Sequence, residues 1–176
     1  MKRLFILRHA KSSWNDASLS DFERPLNDRG RRVAPFMGEL MAKRGWVPDV
    51  FFSSPAERAM QTAQLVKDSS GFSSPLILDD RIYEASPQTL KLVVSGFSQD
   101  LSSAAVVGHN PGIEGFIRLA TGRDERIPTA TLSIIDLDVT DWSDIIDTPG
   151  TLVEIIRPKE EMARLSDQNE AGRYAR

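Results

Sequence analysis

The sequence predicts an α/β fold: a three-layer sandwich with a mostly parallel central sheet, an antiparallel edge, and helices on both faces. Three observations carry this reading. Short apolar runs at residues 4–7, 47–52 and 104–107 have the length and composition of strands buried on both faces. Between and after them lie stretches whose apolar residues recur every three or four positions, so strands alternate with helices. At 176 residues the chain is the size of one domain, and a single sheet has to serve all of it.

The elements follow in order. The run at 4–7 stops at Arg8 and His9, as expected of a buried strand that delivers polar residues at its C-terminal end. Residues 11–28 are polar, with Trp14 and Phe22 as isolated anchors. This long loop has the character of a functional one, and Asn27 or Asp28 at its end is suited to cap a helix. Over 29–44 the residues Val33, Phe36, Met37, Leu40 and Met41 mark an amphipathic helix, with Gly45 as the C-cap candidate. A second strand is expected over 47–52. Ser53-Ser54-Pro55 then supplies a cap and a first-turn proline for a helix over 56–67.

Residues 76–78 read as a short strand, and Ser86-Pro87 starts a helix through 97. The strand at 104–107 ends at Gly108-His109-Asn110-Pro111-Gly112, and a helix follows over 113–120. Residues 132–137 and 151–156 are the last strands, expected to pair as a hairpin across the turn-rich stretch 138–150. The domain is expected to span 1–158. Beyond it, 159–176 is strongly charged, with only Met162, Leu165 and Tyr174 as large apolar or aromatic residues, and reads as a short helix or a frayed tail.

Composition narrows the function. The 22 Lys and Arg against 25 Asp and Glu give a net charge of −3, too balanced to draw nucleic acid or an anionic membrane surface, and neither is an expected partner. The chain has no cysteine, which removes disulfides, thiolate zinc sites and a cysteine nucleophile, and fits a reducing compartment. The N-terminal apolar run is too short for a signal peptide, and no run approaches the roughly 18 residues that span a bilayer. A soluble cytoplasmic protein is expected.

Both histidines of the chain lie just past a buried strand. Ligands of open α/β sheets bind at the carboxyl ends of strands, so two parallel strands would bring His9 and His109 to one crevice although 100 positions separate them. Either histidine alone is as well explained by a bond to nearby backbone; the shared placement argues for a site. Arg8 beside His9, and Arg58 in the helix after the second strand, would make that site an anion receptor. Arg58 on its own would pass for part of a solvated helix face. With two histidines and no paired-carboxylate motif beside them, a catalytic metal is not expected. Gly108–Gly112 lacks the Gly-Lys-Ser or Gly-Lys-Thr of a Walker loop and the spacing of the dinucleotide fingerprint, so nucleotide binding is a minor alternative.

These residues resemble the histidine phosphatase superfamily, which includes the cofactor-dependent phosphoglycerate mutases. Arg8-His9-Ala10 is similar to its Arg-His-Gly signature, with Ala in place of Gly, and the likeness runs on through Trp14-Asn15. The stretch from Ser53-Ser54-Pro55 through Glu57-Arg58-Ala59 to Thr62-Ala63 looks like its second arginine motif, and Gly108-His109-Asn110 like the motif of its second histidine. The short overall length, Ala10, and Arg24-Pro25-Leu26 with Asp28-Arg29-Gly30 resemble the short branch typified by the SixA phosphohistidine phosphatases.

The resemblance implies a phosphoryl pocket of Arg8, His9, Arg58 and His109, with Asn15 as a further phosphate contact and residues 1–158 as the histidine phosphatase domain. It implies His9 as nucleophile, a phosphohistidine intermediate, and no metal or other cofactor. For the general acid, Asp80 aligns best with the mutase pattern and Glu84 is the nearby competitor, although both also read as solvated loop acids. The implied substrate is phosphohistidine on a protein. The alternatives are small phosphate monoesters and a non-catalytic module that binds phosphorylated proteins.

Overall fold

A computed structural model describes the backbone of residues 1–174 and the side chains through residue 168; the last two positions of the expected tail lie outside the described residues. Six strands form one sheet: β1 (Lys2–Arg8), β2 (Phe51–Ser53), β3 (Leu76–Leu78), β4 (Ser103–Gly108), β5 (Leu132–Leu137) and β6 (Thr151–Ile156), in the order β3-β2-β4-β1-β5-β6. β3, β2, β4 and β1 are parallel, β5 runs antiparallel to β1, and β6 pairs antiparallel with β5. The expected parallel sheet with an antiparallel edge is thus present. The helices are α1 (Asp28–Lys43), α2 (Glu57–Ser70), α3 (Pro87–Ser95), α4 (Gly112–Thr121) and α5 (Pro158–Tyr174).

The alternation of side chains along β1 shows why residues 4–7 within it are all apolar. Leu4 and Ile6 join a core with Leu90, Val93 and Val94 of α3 and Ile113, Phe116 and Ile117 of α4. Phe5 and Leu7 join a second core with Met37, Leu40 and Met41 of α1 and Ala59, Ala63 and Val66 of α2. With both faces covered, successive residues are all buried and no polar face remains. Asn27 caps α1, its side chain accepting the Gly30 N–H at 2.9 Å. A Cβ on Gly30 would lie 2.3 Å from the Lys11 carbonyl oxygen, so a glycine lets the helix pass directly against the segment that follows His9.

Several boundaries differ from the sequence expectation. The second strand begins at Phe51 rather than at 47, because the Asp49 carboxylate accepts the Ser102 and Ser103 N–H groups (2.7 and 2.8 Å) and turns the chain there. Pro55 lies ahead of α2 instead of in its first turn, and that helix runs on to Ser70. α3 stops at Ser95, since Phe97 turns inward to stack on Phe52 with ring centroids 4.2 Å apart. The turn-rich stretch before β6 contains a short 3-10 helix, Trp142–Ile146, which buries Trp142 and lets its Nε1 donate to the Leu101 carbonyl at 2.9 Å. Trp14 and Phe22 are not core anchors. Both are exposed, Trp14 at 73%.

Candidate active site

The parallel pairing of β1 with β4 builds the site. Arg8 is in register with Gly108, and the His9 N–H donates to the Gly108 carbonyl at 3.0 Å. The next residue of each strand is a histidine, and the two imidazole centroids stand 5.1 Å apart at the carboxyl edge of the sheet. The Ala130 N–H donates to the carbonyls of Arg8 and His9 at 3.1 Å each, with Ala130 in the left-handed region at φ 59°. A strained residue is thus spent on holding the end of β1. A cleft of about 1010 Å³ opens over the histidines.

His9 is buried, and its Nδ1 lies 2.7 Å from the Ala10 carbonyl oxygen. A carbonyl only accepts, so the proton sits on Nδ1 and Nε2 keeps its lone pair. Ala10 is clamped in turn: its N–H donates to Thr62 Oγ1 (2.9 Å), whose hydroxyl donates to the Arg58 carbonyl (2.6 Å). The alanine that replaces the signature glycine is fully buried and has no positive φ, so the backbone accepts its methyl group. His109 Nε2 lies 2.8 Å from Ser54 Oγ, which also accepts the Ala56 N–H at 3.2 Å. If the hydroxyl gives its proton to Nε2, only the Nδ1–H of His109 is left over, whereas the reverse assignment leaves both the Ser54 hydroxyl hydrogen and Nδ1 without a partner; the proton of His109 is therefore assigned to Nδ1.

Three arginines surround this pair. Arg8 Nη1 donates to the Ile127 carbonyl (2.8 Å), which also accepts from Asn110 Nδ2 (3.1 Å). Arg58, 6% exposed, stands in the first turn of α2, and Arg24 is buried beneath Trp14, its guanidinium carbon 3.4 Å from the ring centroid. Arg8 Nε, Arg24 Nε and Nη1, and His109 Nδ1 are buried with no hydrogen-bond partner among the described residues. Unpaired buried donors are costly unless something binds them, so together they describe a receptor for an oxyanion.

Burial pushes His9 down to about 4, with Arg58, Arg8 and Arg24 adding repulsion against the Ala10 hydrogen bond that opposes it. Burial likewise drives His109 down to about 3, helped by His9, Arg58 and Arg8 and opposed by Asp21. Both rings are neutral near pH 7. As pH falls below about 6.5 the unfolded chain takes up protons that the folded chain refuses, so stability declines toward pH 4. Because the chain has two histidines, a proton NMR titration resolves both; neither ring is expected to titrate above pH 5, and a midpoint near 6.5 would show that the burial does not hold in solution.

Among the residues singled out from sequence, Arg8, His9, Arg58 and His109 meet in the cleft, and Glu84 lines it. Asn15 and Asp80 are exposed and do not line it. Asp80 opens a 3-10 helix, Asp80–Ile82, capped by the Asp79 side chain, and the chain meets the site after it, at Tyr83 and then at Glu84, the latter in the left-handed region at φ 50°. The residues not assigned to the site from sequence are Arg24, Asp21 and Tyr83. For Asp21 and Arg24 the signal was the Arg24-Pro25-Leu26 motif, but their convergence depends on how the loop between β1 and α1 folds back through the Ser12–Leu26 bridge; Tyr83 joins them through its hydroxyl's bond to Asp21.

The family model described as histidine phosphatase superfamily (branch 1) matches residues 4–91. The chain belongs to that superfamily. A structure described as a candidate phosphohistidine phosphatase SixA from Agrobacterium tumefaciens superimposes with a TM-score of 0.77 at 27% identity, covering 89% of this chain and 98% of that one. The protein histidine phosphatase SixA complexed with tungstate shares the fold at a TM-score of 0.78, with 20% identity over 90% of this chain and 98% of that one. An uncharacterised protein of Mycobacterium tuberculosis is 29% identical over 164 residues, 87% of this chain and 100% of its own length. Membership of the superfamily supports phosphatase activity. Among the described residues no helix is long and apolar enough to cross a membrane.

Proposed function

We propose that this protein is a phosphatase that works through phosphohistidine on His9 and acts on phosphohistidine in a protein, without a metal. The observation that carries the proposal is the pair of neutral, buried imidazoles 5.1 Å apart, ringed by arginine donors that have no partner among the described residues. His9 Nε2 attacks phosphorus while the bond to the leaving group breaks; Arg8, Arg24, Arg58 and His109 Nδ1 donate to the phosphoryl oxygens as charge shifts. Water then attacks the phosphorus, the P–N bond returns its electron pair to His9, and phosphate departs.

The choice of substrate rests on the leaving group. An imidazole, with an ordinary pKa near 6.5, is readily protonated as it leaves, whereas an alkoxide needs a positioned acid. Of the two acids considered from sequence, Asp80 does not line the cleft and Glu84 does so from an exposed position. Of these two acids the small-ester reading therefore rests on Glu84, although Glu114 and Asp124 also line the cleft. The test is kcat/KM for a phosphohistidine protein against phosphoserine peptides and sugar phosphates, in EDTA, with Glu84→Gln and Asp80→Asn alongside. The phosphohistidine protein is expected to be the best substrate, with neither carboxylate variant losing more than a few-fold. Preference for alkyl phosphates that is lost in Glu84→Gln would establish the small-ester reading. Binding without turnover of any of them would leave a phosphoprotein-binding module.

A further inference from the structure

The loop between β1 and α1 places Asp21 where two buried arginines meet. One oxygen of its carboxylate accepts from Arg24 Nη2; the other accepts from Arg58 Nη2 at 2.9 Å and from the Tyr83 hydroxyl at 3.0 Å. Its backbone carbonyl takes Arg58 Nη1 at 2.6 Å. Partial burial pushes this carboxyl up, but the hydrogen bonds from Arg24, Arg58 and Tyr83 outweigh it and bring it to about 2. Near neutral pH it is always ionised.

Two guanidiniums brought together in a partly dry cleft repel each other, and each can turn to other rotamers. A carboxylate that binds both removes the repulsion and fixes their relative orientation. It also leaves donors over, since Arg24 keeps Nε and Nη1 buried and unpartnered. We propose that Asp21 is a positioning residue: it yokes Arg24 to Arg58 so that their remaining donors form a fixed oxyanion seat beside His9. The proposal rests on the phosphatase reading of the same cleft.

A carboxylate among arginines could instead compete with the substrate for them, and two observations favour the yoke. Arg58 is bound by the Asp21 carbonyl as well as by its side chain, so displacing the carboxylate would not release that guanidinium. Arg24 keeps two donors without an acceptor among the described residues while Asp21 is in place, so the carboxylate does not use up the hydrogen-bonding capacity of that guanidinium.

The experiment measures tungstate binding by calorimetry in a double-mutant cycle. Asp21→Asn is expected to weaken tungstate about tenfold or more, whereas in the Arg24→Ala background the same change should cost clearly less, since the yoke has already lost one arm. Tyr83→Phe, which removes one donor to the carboxylate and no charge, should cost less than Asp21→Asn. Melting curves report whether each variant is folded, and Asp21→Ser reads the same quantity if Asp21→Asn melts early. Unchanged or tighter binding in Asp21→Asn overturns the yoke and makes Asp21 a competitor. An equal loss in both backgrounds also overturns it, because Asp21 would then act by shaping the loop. If the wild-type protein neither binds tungstate nor turns over an aryl phosphate, the phosphatase reading falls and the yoke with it; tight wild-type binding undiminished in Asp21→Asn removes the yoke alone.

Discussion

His9→Ala is expected to lose all detectable phosphoenzyme and to cut turnover by on the order of 10⁴-fold or more, the scale on which removal of a nucleophile registers. The second histidine cannot take its place. His109 lies 5.1 Å away, but its Nε2 is held by Ser54, and its Nδ1 carries the proton and serves as a donor. Rapid quench with labelled substrate, kept away from acid, should trap an acid-labile, base-stable adduct in the wild-type protein, with the label on the peptide containing His9. His109→Ala should form the same adduct more slowly, because it loses a donor and keeps the nucleophile. Equal labelling of His9→Ala and wild type would remove His9 from its role.

The parts of this site that were legible in the sequence are those set by strand ends. Leu4 to Leu7 is apolar because both faces of β1 are covered, and polar residues after that run, Arg8 and His9, mark the strand's carboxyl end. The same logic placed His109 after β4. The register that brings them together, Arg8 against Gly108, leaves no mark on either strand, and only the topology of a parallel sheet suggested that they meet.

The less legible parts hang on loops. Asp21 and Arg24 reach the cleft because the chain after His9 folds back, with the Asn27 N–H donating to the Lys11 carbonyl at 2.9 Å and the Leu26 N–H to Gln61 Oε1 at 2.8 Å. Contacts of that kind have no periodicity to read. Asp80 and Glu84 differ by only four positions, yet a short 3-10 helix and one left-handed residue decide which of them lines the cleft. A motif alignment that counts positions cannot register either feature.

Arg58→Ala should lower kcat/KM by about 10²-fold or more, the cost of removing one preorganised charged donor. Arg58 is buried with Asp21 holding both terminal nitrogens, so its position is fixed before any substrate arrives. A donor preorganised in this way contributes most where charge is redistributed, and kcat should fall with kcat/KM instead of KM rising alone. Arg58→Lys keeps the charge but cannot engage the Asp21 carbonyl and carboxylate with a planar fork, so it should recover only a small part of the loss. A second measurement separates electrostatics from folding. Arg58 is one of the cations that hold His9 below its ordinary pKa, so in Arg58→Ala the NMR midpoint of His9 should move upward, while burial still keeps it below 6.5. A rate within threefold of wild type, with His9 unmoved, would place Arg58 outside the phosphoryl pocket.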